Sequence, residues 1–170
     1  MDHSDVNFCM KCGNTLQMKT RFGANRPTCT SCNYTHFFDP KVAAAMWLMD
    51  QNKLLLVKRA VEPEKGLWTL PGGFVDAWEH PADTAVRECH EETGLKVQAV
   101  KMIDLVTTNY DSKGKGFIIF YTGKILSGRI KAGDDADDVA WFDINDLPTI
   151  AFDATKSIIK NWKNNQFSMK

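Results

Sequence analysis

The segment from Gly73 to Leu95, GFVDAWEHPADTAVRECHEETGL, constrains this chain most, because it gathers carboxylates on a helix that local energetics disfavour. Pro81 suits the first turn of a helix and Gly94 the position just past its end, so the spacing predicts a helix from about Pro81 to Thr93. Ala82, Ala85, Val86 and Cys89 fall at i, i+3, i+4 and i+7, one apolar stripe that packs on a sheet. Cys89 is then a small core hydrophobe rather than a reactive thiol. Glu88, Glu91 and Glu92 occupy another side of the helix, within an arc of about 100°. Each like-charge pair at this spacing costs roughly 0.2–0.5 kcal/mol. The helix dipole disfavours anions in the second half by about 0.3–1 kcal/mol each. A divalent cation reverses the sign of these terms, since a hard ion such as Mg²⁺ is held by carboxylate and carbonyl oxygens. A solvated run of glutamates is the bland alternative, and both penalties count against it.

The flanking residues extend the pattern. Gly72-Gly73 lets the backbone come close to a ligand, and a carbonyl there can complete a metal shell. Arg87 lies one turn before Glu91, while Glu79 sits in the loop ahead of the helix; a bidentate Arg87–Glu79 pair would fix loop to helix. His80 reads as a solvated or capping histidine. Asp134, Asp135, Asp137 and Asp138 form an acidic run that is a solvated loop or, in the functional reading, a source of a distal ligand or base.

Four of the five cysteines fall in two pairs, Cys9/Cys12 and Cys29/Cys32, giving C-x2-C-x16-C-x2-C. This spacing is that of a four-thiolate Zn²⁺ ribbon, and the clustering favours metal over disulfides in a reducing compartment. Gly13 and Asn33 follow the second ligand of each pair and supply left-handed backbone there. A closed four-thiolate site has no open coordination position, so zinc here substitutes for a core that a short segment cannot build.

At 170 residues the chain accommodates one main domain with a small appendage. Lys plus Arg equals Asp plus Glu, 21 of each, so no global positive charge attracts nucleic acid or an anionic membrane, although a local basic groove stays open. The N-terminus, MDHSDVNF, lacks the features of a signal peptide and no apolar run suggests a membrane span. A cytoplasmic protein is expected.

Asp39-Pro40 is a natural junction, dividing the chain into residues 1–38, the ribbon, and 39–170, the main domain. Val42–Met49 and Lys53–Val57 are apolar runs around the polar turn Asp50-Gln51-Asn52 and read as a strand hairpin. Val61–Gly66 reads as a loop and Leu67–Leu70 as a short strand running into the glycines. Val97–Val106, Gly116–Ile125 and Val139–Asp143 read as strands, and Asp153–Trp162 as an amphipathic helix. Strands interrupted by two helices predict an α/β (α+β) domain with a mixed sheet and helices packed on it.

Gly73, Glu79 and Arg87-Glu88-Cys89-His90-Glu91-Glu92-Thr93-Gly94-Leu95 match the fixed positions of the Nudix box, Gly-x5-Glu-x7-Arg-Glu-U-x-Glu-Glu-x-Gly-U, where U is bulky and apolar. Cys89 at a U position is a mild departure that touches packing. LWTLPGGFVD and VAWFDINDLP also resemble the family's elements around the box, so the resemblance covers roughly residues 40 to 165. It implies an α/β/α sandwich that hydrolyses nucleoside diphosphates linked to another moiety, using Mg²⁺ or Mn²⁺. On the matching positions, Glu91 and Glu92 with the Gly72 carbonyl are the implied metal ligands. Glu88 is a further ligand or the general base, the base otherwise lying outside the box. Arg87 and Glu79 are the implied orienting pair.

A ribbon ahead of the box resembles two Nudix subgroups. The NADH pyrophosphatases carry a Ser-Gln-Pro-Trp-Pro-Phe-Pro-like signature after the box, and Lys96–Ile125 contains nothing like it. The short zinc-ribbon hydrolases, which include FAD and ADP-ribose pyrophosphatases, have segments that resemble Pro40-Lys41-Val42 and Ala151-Phe152-Asp153. Rival readings are an NTP or capped-RNA pyrophosphohydrolase and, in another class, a nucleotide-sensing regulator. Trp47, Trp68, Phe74, Trp78 and Tyr110 are the aromatics that can stack on a base; Trp78 and Phe74, at variable positions between Gly73 and Glu79, are the substrate-binding candidates. The expected partner is a nucleotide-type small molecule, without membrane or nucleic acid, and with a homodimer left open.

Overall fold

The computed structural model describes residues 6–109 and 115–164. The chain forms two compact units, Met1–Pro40 with Asn109–Lys115, and Lys41–Thr108 with Gly116–Lys170. In the first, β1 (Leu16–Arg21) and β2 (Ala24–Cys29) form an antiparallel hairpin with Arg21 opposite Ala24. Its two-residue turn, Phe22-Gly23, has φ of 49° and 77°, as a primed hairpin turn requires. The sequence reading identified the knuckles here and missed the hairpin, because its strands are polar and its turn lacks the usual Asn-Gly.

The second unit runs β3 (Lys41–Trp47), β4 (Met49–Asp50), β5 (Lys53–Arg59), β6 (Trp68–Thr69), β7 (Gly72–Phe74), α1 (Pro81–Thr93), β8 (Lys96–Asn109), β9 (Lys115–Ser127), β10 (Ala136–Asp143) and α2 (Asp153–Lys163). Among the described residues these strands make two sheets. One has the order β7-β3-β9-β8; the other runs β10-β5-β4, with β6 also on β5. The first is mixed, since β3 is parallel to β9 and antiparallel to β7.

The expected hairpin of Val42–Met49 with Lys53–Val57 is corrected by this topology. Only Met49 and Asp50 pair with β5, across a turn in which Gln51 has φ of 53°. Both edges of β3 are taken by β7 and β9, so the chain changes sheets at Leu48. Gly72–Phe74, read as part of a glycine loop, is a strand.

The apolar runs are continuous because both strand faces are buried. Ala44 and Met46 of β3 join Leu55 and Val57 of β5 in a core with Ala85 and Cys89 of α1. Ala45 and Trp47 join Leu54 and Leu56 in a second core with Ala154, Ile158 and Ile159 of α2. Successive strand residues point to opposite faces, so the two helices cover opposite sides of the sheet layer. Full burial of each leucine at Leu54–Leu56 stabilises by about 1.5–3 kcal/mol.

Candidate active site

Helix α1 is closed by its own sequence at both ends. The His80 Nδ1 accepts a hydrogen bond from the Ala82 N–H at 3.1 Å, and Pro81 occupies the first turn. Gly94, at φ 72°, ends the helix with its N–H on the His90 carbonyl. The Thr93 and Glu92 carbonyls accept from the Lys131 and Gly133 N–H groups, at 2.9 and 3.3 Å. Ala85 and Cys89 are fully buried with Ala82 and Val86 packed beside them, which sets the rotation of the helix and the direction of its glutamates.

Gly72 and Gly73 lie on β7 against this helix, and each is required for a different reason. A Cβ at Gly72 would overlap the Ala44 carbonyl oxygen and lie within 2.8 Å of the Ala45 Cα and Cβ, on the neighbouring strand. A Cβ at Gly73 would overlap the Glu88 carboxylate. The Gly72 N–H donates to Glu92 Oε2 at 3.0 Å.

Arg87 organises the outer part of the site. Its Nε and Nη2 donate to the two oxygens of Glu79, both at 2.9 Å, a bidentate fork. Its Nη1 donates to Glu88 at 2.8 Å and Glu91 at 3.0 Å. The Thr84 hydroxyl completes the Glu79 partners at 2.7 Å. The Arg87 fork, followed by the Thr84 bond, lowers the Glu79 pKa to about 2.

The inner carboxylates behave in the opposite way. Burial raises the pKa of Glu88 despite Arg87, with Glu91 and Asp134 adding repulsion. Glu92 is only 7% exposed. Burial pushes its pKa up to about 8 despite the Gly72 N–H, and Glu88 and Asp135 act in the same direction. Asp134 and Asp135 thus bear electrostatically on the helix while being solvent-exposed, whereas Asp138 receives the Val139 N–H at 2.8 Å.

Among the described residues, Cys9, Cys12, Cys29 and Cys32 form the one group of three or more metal-ligating side chains whose ligand atoms all lie within 4.8 Å. The helix glutamates are spaced more widely, with Arg87 Nη1 between Glu88 and Glu91. Cys9–Cys32, Cys12–Cys29 and Cys12–Cys32 sulfur distances are each 3.5 Å, near the roughly 3.8 Å edge of a tetrahedron with zinc–sulfur bonds of about 2.3 Å. Gly13 and Asn33, at φ 72° and 59°, return their N–H groups to the Cys9 and Cys29 carbonyls.

The aromatic candidates separate. Trp47 is buried against Trp162, and Trp68 packs edge-on to Phe142. Trp78 is 98% exposed beside Glu79, and the Phe74 side chain is also exposed. Tyr110 lies outside the described residues. Two contributors escaped the sequence reading. Thr84 supports Glu79 from inside the helix, one turn before Arg87. Arg59, at the end of β5, lowers the Glu92 pKa while bonded to the Pro63 and Val61 carbonyls at 2.7 and 3.3 Å. Lys58 and Arg59 together follow the apolar run 54–57, and nothing in the sequence singles out Arg59 from its neighbour.

The chain matches the NUDIX domain over residues 39–162. It is 39% identical over 135 residues to the ADP-ribose pyrophosphatase of Methanocaldococcus jannaschii, covering 77% of this chain and 79% of that one. It is 24% identical to the NAD-capped RNA hydrolase NudC of Vibrio parahaemolyticus, over 86% of this chain but only 54% of that longer one. A crystal structure of a NUDIX hydrolase from Nitrosomonas europaea superposes with a TM-score of 0.84 and 26% identity, covering 96% of both chains. The archaeal relative and the domain match cover most of a chain whose helix carries the ordered glutamates, and the protein accordingly belongs to the NUDIX family of pyrophosphohydrolases.

Proposed function

We propose that this protein hydrolyses the diphosphate of a nucleoside diphosphate linked to another moiety, with ADP-ribose and FAD as the first substrates to test. The observation that carries this reading is the arrangement of Glu88 and Glu91 around Arg87, with Glu92 of the same helix buried beside the Gly72 N–H. The similarity to the archaeal ADP-ribose pyrophosphatase supports the substrate class.

The donor set fits Mg²⁺ or Mn²⁺. Its atoms are carboxylate and carbonyl oxygens, and the mutual repulsion of Glu88 and Glu92 is relieved by a divalent charge. Glu88, Glu91, Glu92 and the Gly72 carbonyl would hold the ion. When bound, the metal neutralises the diphosphate and acidifies the attacking water. Glu79 and Arg87 hold loop and helix together, so the glutamates keep their spacing while substrate enters. The water proton passes to Glu88 or to a carboxylate outside the helix. Water oxygen bonds to one phosphorus, the anhydride P–O bond breaks, and a nucleoside monophosphate leaves with the second phosphate ester. Trp78 and Phe74 are the exposed rings available to the base.

The four cysteines hold structural Zn²⁺ in a ribbon of residues 1–38, and the hydrolase domain occupies 39–170. Paired thiols kept for a metal suit the reducing cytoplasm; among the described residues no helix is long and apolar enough to cross a membrane. The test is a hydrolysis panel with Mg²⁺ and Mn²⁺ covering ADP-ribose, FAD, NADH, NAD-capped RNA and NTPs. Monophosphate release from ADP-ribose or FAD is expected. Preference for NAD-capped RNA would move the assignment toward the NudC-like relative, and nucleotide binding without turnover would indicate a sensor.

A further inference from the structure

The overall charge balance hides a local asymmetry. From Val6 to Phe38 the chain carries Lys11, Lys19, Arg21 and Arg26, and no carboxylate. In the β1–β2 register Lys19 stands directly opposite Arg26, and Arg21 opposite Ala24. Residues opposite one another, and those two apart, share a sheet face, so Lys19, Arg21 and Arg26 lie on one side of the hairpin. Like charges directly opposite destabilise a strand pair, and an anion on that face removes the penalty.

Two exposed rings adjoin these cations. Phe22 is 77% and Phe37 46% exposed, with centroids 5.7 Å apart. The Arg26 guanidinium lies 4.9 Å from the Phe37 centroid and donates to the Arg21 and Phe22 carbonyls, fixing the group. Phe22 sits at φ 49°, where asparagine or glycine is the ordinary choice and a bulky residue is an outlier. Folding gains little from a phenylalanine whose backbone is strained and whose ring is in water.

We propose that this hairpin face binds single-stranded nucleic acid, with Lys19 and Arg21 on phosphates and Phe22 and Phe37 as platforms for bases. A free phosphate would use the cations without the rings, and an apolar partner the rings without the cations. A single strand presents anionic groups and flat rings in alternation, which matches both.

The test is fluorescence anisotropy of the full zinc-loaded protein with labelled oligouridine and oligothymidine across a salt series. Wild type is expected to bind at low salt. The Lys19→Ala, Arg21→Ala double variant should reduce the log–log salt slope by about 1.4, near 0.7 per lost phosphate contact. Phe22→Asn, which suits the turn, should weaken binding about tenfold with an unchanged slope; Phe22→Trp should restore it. Zinc content and ADP-ribose hydrolysis should match wild type in all three. If Phe22→Asn loses zinc, the double variant and Phe22→Trp decide. Failure of wild type to bind, or wild-type binding by both the double variant and Phe22→Asn, would overturn the proposal. So would tighter, Phe22-dependent binding to phosphatidylserine vesicles, or Phe22-dependent self-association in sedimentation.

Discussion

The Glu88 carboxylate lies against Gly73 in the space that a Cβ at position 73 would occupy. Two adjacent glycines therefore meet different neighbours. At Gly72 the obstacle is the backbone of β3, which cannot yield, whereas at Gly73 it is the end of a side chain that can. Gly72→Ala is expected to destabilise the fold by about 1–3 kcal/mol, as overpacking does. Gly73→Ala should fold nearly normally and lose activity by displacing Glu88. Denaturation midpoints and kcat, measured on both variants, check the contrast.

Arg87 holds Glu79 through a planar fork that a lysine cannot reproduce. Arg87→Lys should keep the fold and lower kcat/KM by about 10- to 100-fold, the usual effect of losing support for a metal ligand. Glu79→Gln should do the same, and combining the two should add little beyond either alone, since both break one contact. Steady-state kinetics of the double-mutant cycle measures this.

Much of this site is legible in the sequence because its signals are local. Pro81 and Gly94 mark the ends of α1, and the stripe Ala82, Ala85, Val86, Cys89 sets which side of the helix is buried. Partners distant in sequence are not legible in the same way. The apolar run 42–49 tells that both faces of β3 are covered but not that β9 lies beside it. The glycine pair reads as room for a ligand, whereas Gly73 accommodates the protein's own Glu88. Arg59 gave no pattern, because its relation to Glu92 exists only after folding.

Burial raises the Glu92 pKa from 4.5 to about 8. A carboxyl raised in the folded state contributes stability that is fully present below its unfolded pKa and lost as pH rises through the folded one. Without divalent metal the protein should thus lose stability as pH rises from about 4.5 to 8. Mg²⁺ should restore stability at the upper end, and Glu92→Gln should flatten the dependence. Urea midpoints of Mg²⁺-free protein across this range provide the check.

Cys9 and Cys29 are buried, and their sulfurs lie 3.5 Å from those of Cys32 and Cys12 respectively. The Cys9→Ser, Cys29→Ser double variant should lose zinc and unfold residues 6–38, because metal binding is the folding free energy of so small a unit. Metal analysis and amide exchange report both effects; stoichiometric zinc retained in the variant would refute the four-thiolate assignment.

Turnover of ADP-ribose and FAD with Mg²⁺ by wild type, Glu91→Gln and Glu92→Gln tests directly whether the helix glutamates hold the catalytic ion. Glu91 and Glu92 are assigned as ligands of the catalytic ion, so each variant should remain folded, bind Mn²⁺ more weakly and lose at least about 100-fold in kcat, in line with removal of a transition-state charge stabiliser. Near-wild-type rates in both variants would contradict the metal-dependent mechanism.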